Sequence, residues 1–140
     1  LHAAEYLASE ANHNVVFGLR GMKTNIGDPH RNMVDFAHIP VVKRLTRMPV
    51  CIDPSHSIGT RSRSSDTILD IMHVTAQGVI AGANMILVDF HPFPNKALVD
   101  GPQALRMEEL PVFLEDIRMV REVFEKRVQL HRGESTAVGS

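Results

Sequence analysis

The 140 residues include 44% hydrophobic and 22% charged side chains and carry a formal net charge of −1. This is the usage of one globular domain able to bury a core, not of a disordered chain. With 15 Lys and Arg against 16 Asp and Glu, there is no basic footprint for nucleic acid or an anionic membrane.

A single cysteine excludes an internal disulfide and fits a reducing, cytoplasmic setting. The apolar runs are far shorter than a bilayer span. No basic segment leads into an apolar one at the start, so a secretory signal is not expected. The opening residue is Leu1 rather than Met, as expected of a chain that begins inside a longer one.

In chain order, residues 1–11 place Ala3, Ala4, Leu7 and Ala11 at helical spacing, and Asn12, His13 and Asn14 end the helix. Residues 15–18 form a short apolar run of strand type, followed by Arg20 and by Gly21, which permits a tight turn. Residues 23–30 are polar, contain Gly27 and Pro29, and read as loop. Residues 31–47 are helix-like but interrupted by Pro40.

Val50, Cys51 and Ile52 make the second strand, which ends at Asp53, Pro54, Ser55 and His56. A polar loop over 57–65 leads into a helix over 66–82, capped by Ser65 or Asp66. Residues 85–88 are the third strand, with Asp89 at its end, and a proline-rich loop runs over 91–103. The last helix spans 108–130. Residues 131–140 are polar and are expected to be a disordered tail, which sets the domain at residues 1–130.

Alternating strands and helices predict an α/β fold with a parallel sheet whose strands are covered on both faces. Three strands do not close a barrel of eight. The sequence pattern therefore allows a small open sheet or part of a larger barrel.

Ionisable residues gather where strands end: Arg20, then Asp53 and His56, then Asp89 and His91. In parallel α/β folds that rim carries the ligand site. His56, Asp89 and Asp100 form a mixed imidazole and carboxylate set that suits Zn, Mn or Fe(II). The plainer reading is that Asp53 accepts backbone N–H groups in the turn around Pro54 and His56 completes that turn. Arg20 offers a fork for phosphate or carboxylate, and Arg61 and Arg63 follow Gly59 in a loop on the same rim. Cys51 reads as a small buried hydrophobe. Glu108 and Glu109 sit where the last helix begins and suit its positive end.

The segments NVVFGLRGMKT (14–24), RNMVDFAHIPVVK (31–43), PVCIDPSHSIGTR (49–61) and LVDFHPFPNKALVDGPQAL (87–105) carry a resemblance. They resemble the C-terminal half of the type I 3-deoxy-D-arabino-heptulosonate 7-phosphate (DAHP) synthases, in the branch shared with the 3-deoxy-D-manno-octulosonate 8-phosphate synthases. The likeness covers residues 1 to about 125. Its specific elements are Asp53-Pro54-Ser55-His56 and the His91-Pro92 to Gln103 stretch, in this order.

The resemblance implies a (β/α)8 TIM barrel of which this chain forms the last three βα units. It implies a transferase that condenses phosphoenolpyruvate with erythrose 4-phosphate in aromatic amino acid biosynthesis by the shikimate route. It also implies a divalent metal ion held by His56, Asp89 and Asp100, and substrate contacts from Arg20, Arg61 and His91, with Arg20 on the phosphoenolpyruvate phosphate. The parent enzyme is expected to be a cytoplasmic homo-oligomer with no nucleic-acid or membrane partner.

The family mechanism has C3 of phosphoenolpyruvate attack a metal-oriented aldehyde carbonyl, water add at C2 and phosphate leave. The chain departs from the family pattern at three places. Gly18-Leu19 stands for Cys-Glu, Lys23 for Arg, and Asp89 for Glu. The family's cysteine ligand and catalytic lysine come from earlier strands, and Cys51 occupies a different position. This chain alone is therefore expected to be inactive. The alternatives are condensation with another aldose phosphate, and a divergent, non-catalytic half-barrel module. Gln103 after Asp100-Gly101-Pro102 points to the DAHP synthases within the resemblance.

Overall fold

The computed structural model describes residues 2–24 and 30–137, with side chains as far as residue 133. Helix α1 (His2–Ser9) leads to strand β1 (Phe17–Leu19), helix α2 (His38–Thr46), strand β2 (Val50–Ile52), the short helix α3 (Pro54–Ile58) and helix α4 (Asp70–Ile80). Strands β3 (Met85–Ile86), β4 (Phe90–His91) and β5 (Leu105–Arg106) follow, and helix α5 (Leu110–Ala137) ends the chain.

The expected parallel α/β arrangement is present. The sheet runs β1-β2-β3, with Phe17, Gly18 and Leu19 opposite Val50, Cys51 and Ile52, and Cys51 and Ile52 opposite Met85 and Ile86. β4 and β5 make a separate parallel pair.

Side chains alternate across a strand, and the two faces differ. Val50 and Ile52 are buried against Ile39 and Ala83, with Phe17, Leu19, Phe36 and Ile86 packed around them. On the opposite face, Met85 and Leu87 are 52% and 53% exposed, and a Cβ on Gly18 would meet nothing within 4 Å. The expectation that both faces are covered is therefore not met by the described residues. A second cluster, Ile58, Leu69, Ile71, Met72, Leu105 and Phe113, joins α3, α4, β5 and α5. There the Phe113 ring meets Phe90 edge-on, with centroids 5.5 Å apart.

Several element bounds differ from the sequence reading, each for a local reason. α2 starts at His38, so Pro40 falls in its first turn, where a missing N–H costs nothing. α4 starts at Asp70, behind Leu69 with no side-chain cap, because Thr67 takes a left-handed φ of 72° and ends the earlier turn. Asp66 accepts from the Ile68 N–H at 2.9 Å inside that turn, and Ser64 Oγ donates to Asp70 at 2.8 Å.

The loop over 57–65 is shortened by α3, and the loop over 91–103 leads into β5, two elements with no periodic signal. α5 runs to Ala137 rather than Leu130. No proline interrupts it, and Gly133 alone costs about 1 kcal/mol in a helix. Residues 138–140 and most of the predicted loop over 23–30, namely 25–29, lie outside the described residues. No helix among those described is long and apolar enough to cross a membrane.

Candidate metal and anion site

The site is built from the turns that leave β1, β2 and β3. After β2, Asp53 is the N-cap of α3. Its Oδ1 accepts from the His56 N–H at 3.2 Å, and Pro54 occupies the first helical position, where it is preorganised. The same Oδ1 lies 2.8 Å from His56 Nδ1. A carboxylate there accepts a hydrogen bond from Nδ1–H, which leaves the Nε2 lone pair available to a metal. The plainer reading of Asp53 and the functional reading of His56 are thus two consequences of one cap.

Asp53 Oδ2 accepts from Arg20 Nε at 3.1 Å. Asp53 is buried while Arg20 is 57% exposed, and both Nη groups of Arg20 have no partner among the described residues. A guanidinium anchored at one edge and open at the other suits an oxyanion. The backbone around Arg20 is fixed on three sides. Ser57 Oγ donates to the Arg20 carbonyl at 2.7 Å. Asn32 Nδ2 donates to the His56 carbonyl at 3.1 Å and to the Arg20 carbonyl at 3.4 Å. Gly21, at φ 94°, comes so close to the chain that an added Cβ would sit 2.6 Å from the Met33 carbonyl oxygen, which explains the Arg-Gly pair.

Asp89 follows β3, and its N–H donates to Ser55 Oγ at 2.9 Å. Asp100 arrives from the following loop in a left-handed conformation, φ 56°, that Asp tolerates better than most residues. His56, Asp89 and Asp100 each present a donor atom, and these lie within 4.8 Å of one another. His56 Nε2 is 3.6 Å from Asp100 Oδ1. Ligand bonds of about 2.0–2.2 Å place donors at most about 4.4 Å apart around one ion, so small side-chain movements close this set. One imidazole nitrogen and two carboxylate oxygens are the donors that Mn, Fe(II) or Zn accept. The residues present fit such an ion.

Gln103 completes the cluster. It is fully buried, and Nε2 donates to Asp89 Oδ2 at 3.1 Å and to Asp100 Oδ1 at 2.9 Å. Its Oε1 is buried with no hydrogen-bond partner among the described residues, a state that costs about 1–3 kcal/mol.

Two residues expected at substrate are engaged with protein partners. Arg61 forms a two-pronged ion pair with Glu109, Nη2 to Oε1 at 2.7 Å and Nη1 to Oε2 at 2.9 Å, and Nη1 also donates to the Ala104 carbonyl at 2.8 Å. This pairing, opposed by burial and helped by the Arg106 N–H, holds the Glu109 carboxyl below its ordinary range. Glu109 is thus an ion-pair partner as well as an acid near a helix start. His91 Nδ1 accepts from the Phe93 N–H at 2.9 Å and is outside the His56 cluster. Burial, with the Asp53 charge adding to it, raises the Cys51 thiol, in keeping with an unreactive side chain.

The sequence reading did not give Gln103 or Asn32 a place in the site. Neither stands at a periodic position, and neither has charge. The signal for Gln103 was its spacing, three residues after Asp100 across one tight turn.

The phospho-2-dehydro-3-deoxyheptonate aldolase of Thermotoga maritima is 29% identical over 128 residues, 91% of this chain and 36% of that protein. The 2-dehydro-3-deoxyphosphooctonate aldolase of Pelobacter propionicus is 28% identical over 123 residues, 85% of this chain and 44% of that protein. The crystal structure of the T. maritima DAHP synthase superposes with a TM-score of 0.76 at 30% identity, covering 87% of this chain and 34% of that one. A truncated form of the T. maritima enzyme gives 0.75 at 30% identity, covering 86% and 43%. The chain therefore spans less than half the length of each of these relatives. The pattern of the DAHP synthetase I family matches residues 1–126, and the chain belongs to that family.

Proposed function

We propose that this chain supplies the last three βα units of a (β/α)8 barrel, with residues 1–130 as the barrel part and 131–140 outside it, and that the whole protein is a metal-assisted DAHP synthase of the cytoplasm. The supporting observation is the convergence of His56, Asp89 and Asp100 on one point, with Arg20 tied to His56 through Asp53. In this reading His56, Asp89 and Asp100 hold a divalent ion. Such an ion supplies Lewis acidity to an aldehyde carbonyl oxygen. Arg20 binds the phosphate of phosphoenolpyruvate and offsets its charge. Asp53 keeps His56 in the ligating tautomer and Arg20 in place. Arg61 and His91 are the further substrate contacts of this reading, and to reach substrate Arg61 has to share its guanidinium with Glu109 and His91 has to give up its bond from the Phe93 N–H.

The heptonate named for the T. maritima relative supports the choice of acceptor. A heptulosonate has seven carbons, of which phosphoenolpyruvate brings three, so the partner is the four-carbon erythrose 4-phosphate of the shikimate route. The octonate relatives support a second reading, in which an eight-carbon product requires a five-carbon aldose phosphate.

The test follows phosphoenolpyruvate consumption by the full-length protein that carries this chain, with Mn²⁺, with either aldose phosphate, and with or without EDTA. EDTA-sensitive turnover on the four-carbon acceptor supports the proposal. Turnover on only the five-carbon acceptor replaces it with the second reading. No turnover by the folded protein with any divalent ion favours a divergent, non-catalytic barrel, a reading that Leu19 and Asp89 support at the family's acidic positions.

A further inference from the structure

A neutral side chain bridges the two acids of the candidate metal site. Gln103 is fully buried, and both of its Nε2 bonds go to carboxylates that arrive on different segments, Asp89 behind β3 and Asp100 from the loop beyond β4. Two carboxylates drawn together repel each other unless a donor stands between them. A Lys or Arg would do this too, but its charge would compete with a divalent ion for the same oxygens. An amide supplies two hydrogens and no net charge.

The amide orientation is also determined. Turned over, it would present Oε1 to both acids. As it stands, Oε1 is left buried without a partner among the described residues. An apolar side chain of similar size would fill the space with no orphaned acceptor, so the donors are what Gln103 contributes.

We infer that Gln103 is a positioning residue whose amide gathers Asp89 and Asp100 beside His56 Nε2 in advance of the ion. This inference rests on the metal reading of the site. Partners of this kind orient ligands and are worth about 10–100-fold in metal affinity.

The test uses the full-length protein, stripped with chelator and titrated with Co²⁺ by calorimetry and visible absorption. Wild type is compared with Gln103→Met, which keeps volume but removes the donors, and with His56→Ala. The expected result is one ion per wild-type chain, loss of that ion in His56→Ala, and about 10–100-fold weaker binding in Gln103→Met. The Co²⁺ absorption band should shift while circular dichroism is unchanged, a signature that a purely structural residue would not produce.

Binding in Gln103→Met within about twofold of wild type, with the same band, overturns the inference and leaves the metal reading standing. A wild type that binds no ion, or binds one unaffected by His56→Ala, overturns the metal reading and this inference with it. If Gln103→Met does not fold, Gln103→Asn takes its place. Its amide falls one methylene short of the acids, so weakened binding is again expected and unchanged binding is contrary.

Discussion

Asp53 is the residue on which the site turns, because one carboxylate serves the helix cap, His56 and Arg20. Asp53→Asn replaces an acceptor by a donor beside His56 Nδ1–H or Arg20 Nε. The expected outcome is a metal affinity about 10–100-fold lower, read by Mn²⁺ titration with electron paramagnetic resonance. Unchanged affinity would mean that Asp53 only caps the turn.

Arg61 makes a stability prediction instead. Its charge-assisted bonds to Glu109 put Arg61→Ala about 2 kcal/mol below wild type in urea unfolding near pH 7. The sign with pH follows from the depressed Glu109 carboxyl. The pair stabilises the fold above about pH 4.3, where the unfolded Glu is ionised, and that contribution is lost as pH falls through the lower folded value. The gap between wild type and Glu109→Gln should therefore be full at neutral pH and close in acid. A gap independent of pH would contradict the pairing.

At the scale of elements, local apolar runs were legible and turns were not. β2 lies where the run Val50-Cys51-Ile52 predicted it, because both of its neighbours are strands and both Val50 and Ile52 face one core. β4 and β5 have only two residues each, too few for any period to register, and their pairing joins residues 15 apart across the loop that carries Asp100. That loop is tightly packed. A Cβ at Gly101 would sit 2.4 Å from the Pro94 carbonyl oxygen, a backbone atom that cannot rotate away. Gly101→Ala should displace Asp100 and weaken Mn²⁺ binding by about tenfold or more, the lower end of what misplaced ligand partners cost. Retained affinity would show that the loop reseats freely. The three convergent ligand residues were named from strand ends and from resemblance, whereas Gln103 required the fold, since only the turn at Asp100 brings its amide between two acids.

For the whole molecule, the unequal faces of the sheet decide behaviour. Among the described residues β1 has a free edge, and Met85, Leu87 and the open space over Gly18 lie on a sheet face without a covering layer. Unpaired edges and broad apolar faces drive association. The 140-residue chain produced alone should self-associate or precipitate in sedimentation velocity at micromolar concentration. A monomer with a sharp thermal transition would contradict the reading that further barrel units cover this face.

The account stands or falls on whether an ion binds where His56, Asp89 and Asp100 meet. Crystals of the full-length protein soaked in Mn²⁺, with diffraction collected at the manganese edge, test this directly. The account predicts an anomalous peak within bonding distance of His56 Nε2 and of one carboxylate oxygen from each of Asp89 and Asp100. A fully soaked crystal with no peak there, or with its only peak elsewhere, would contradict it.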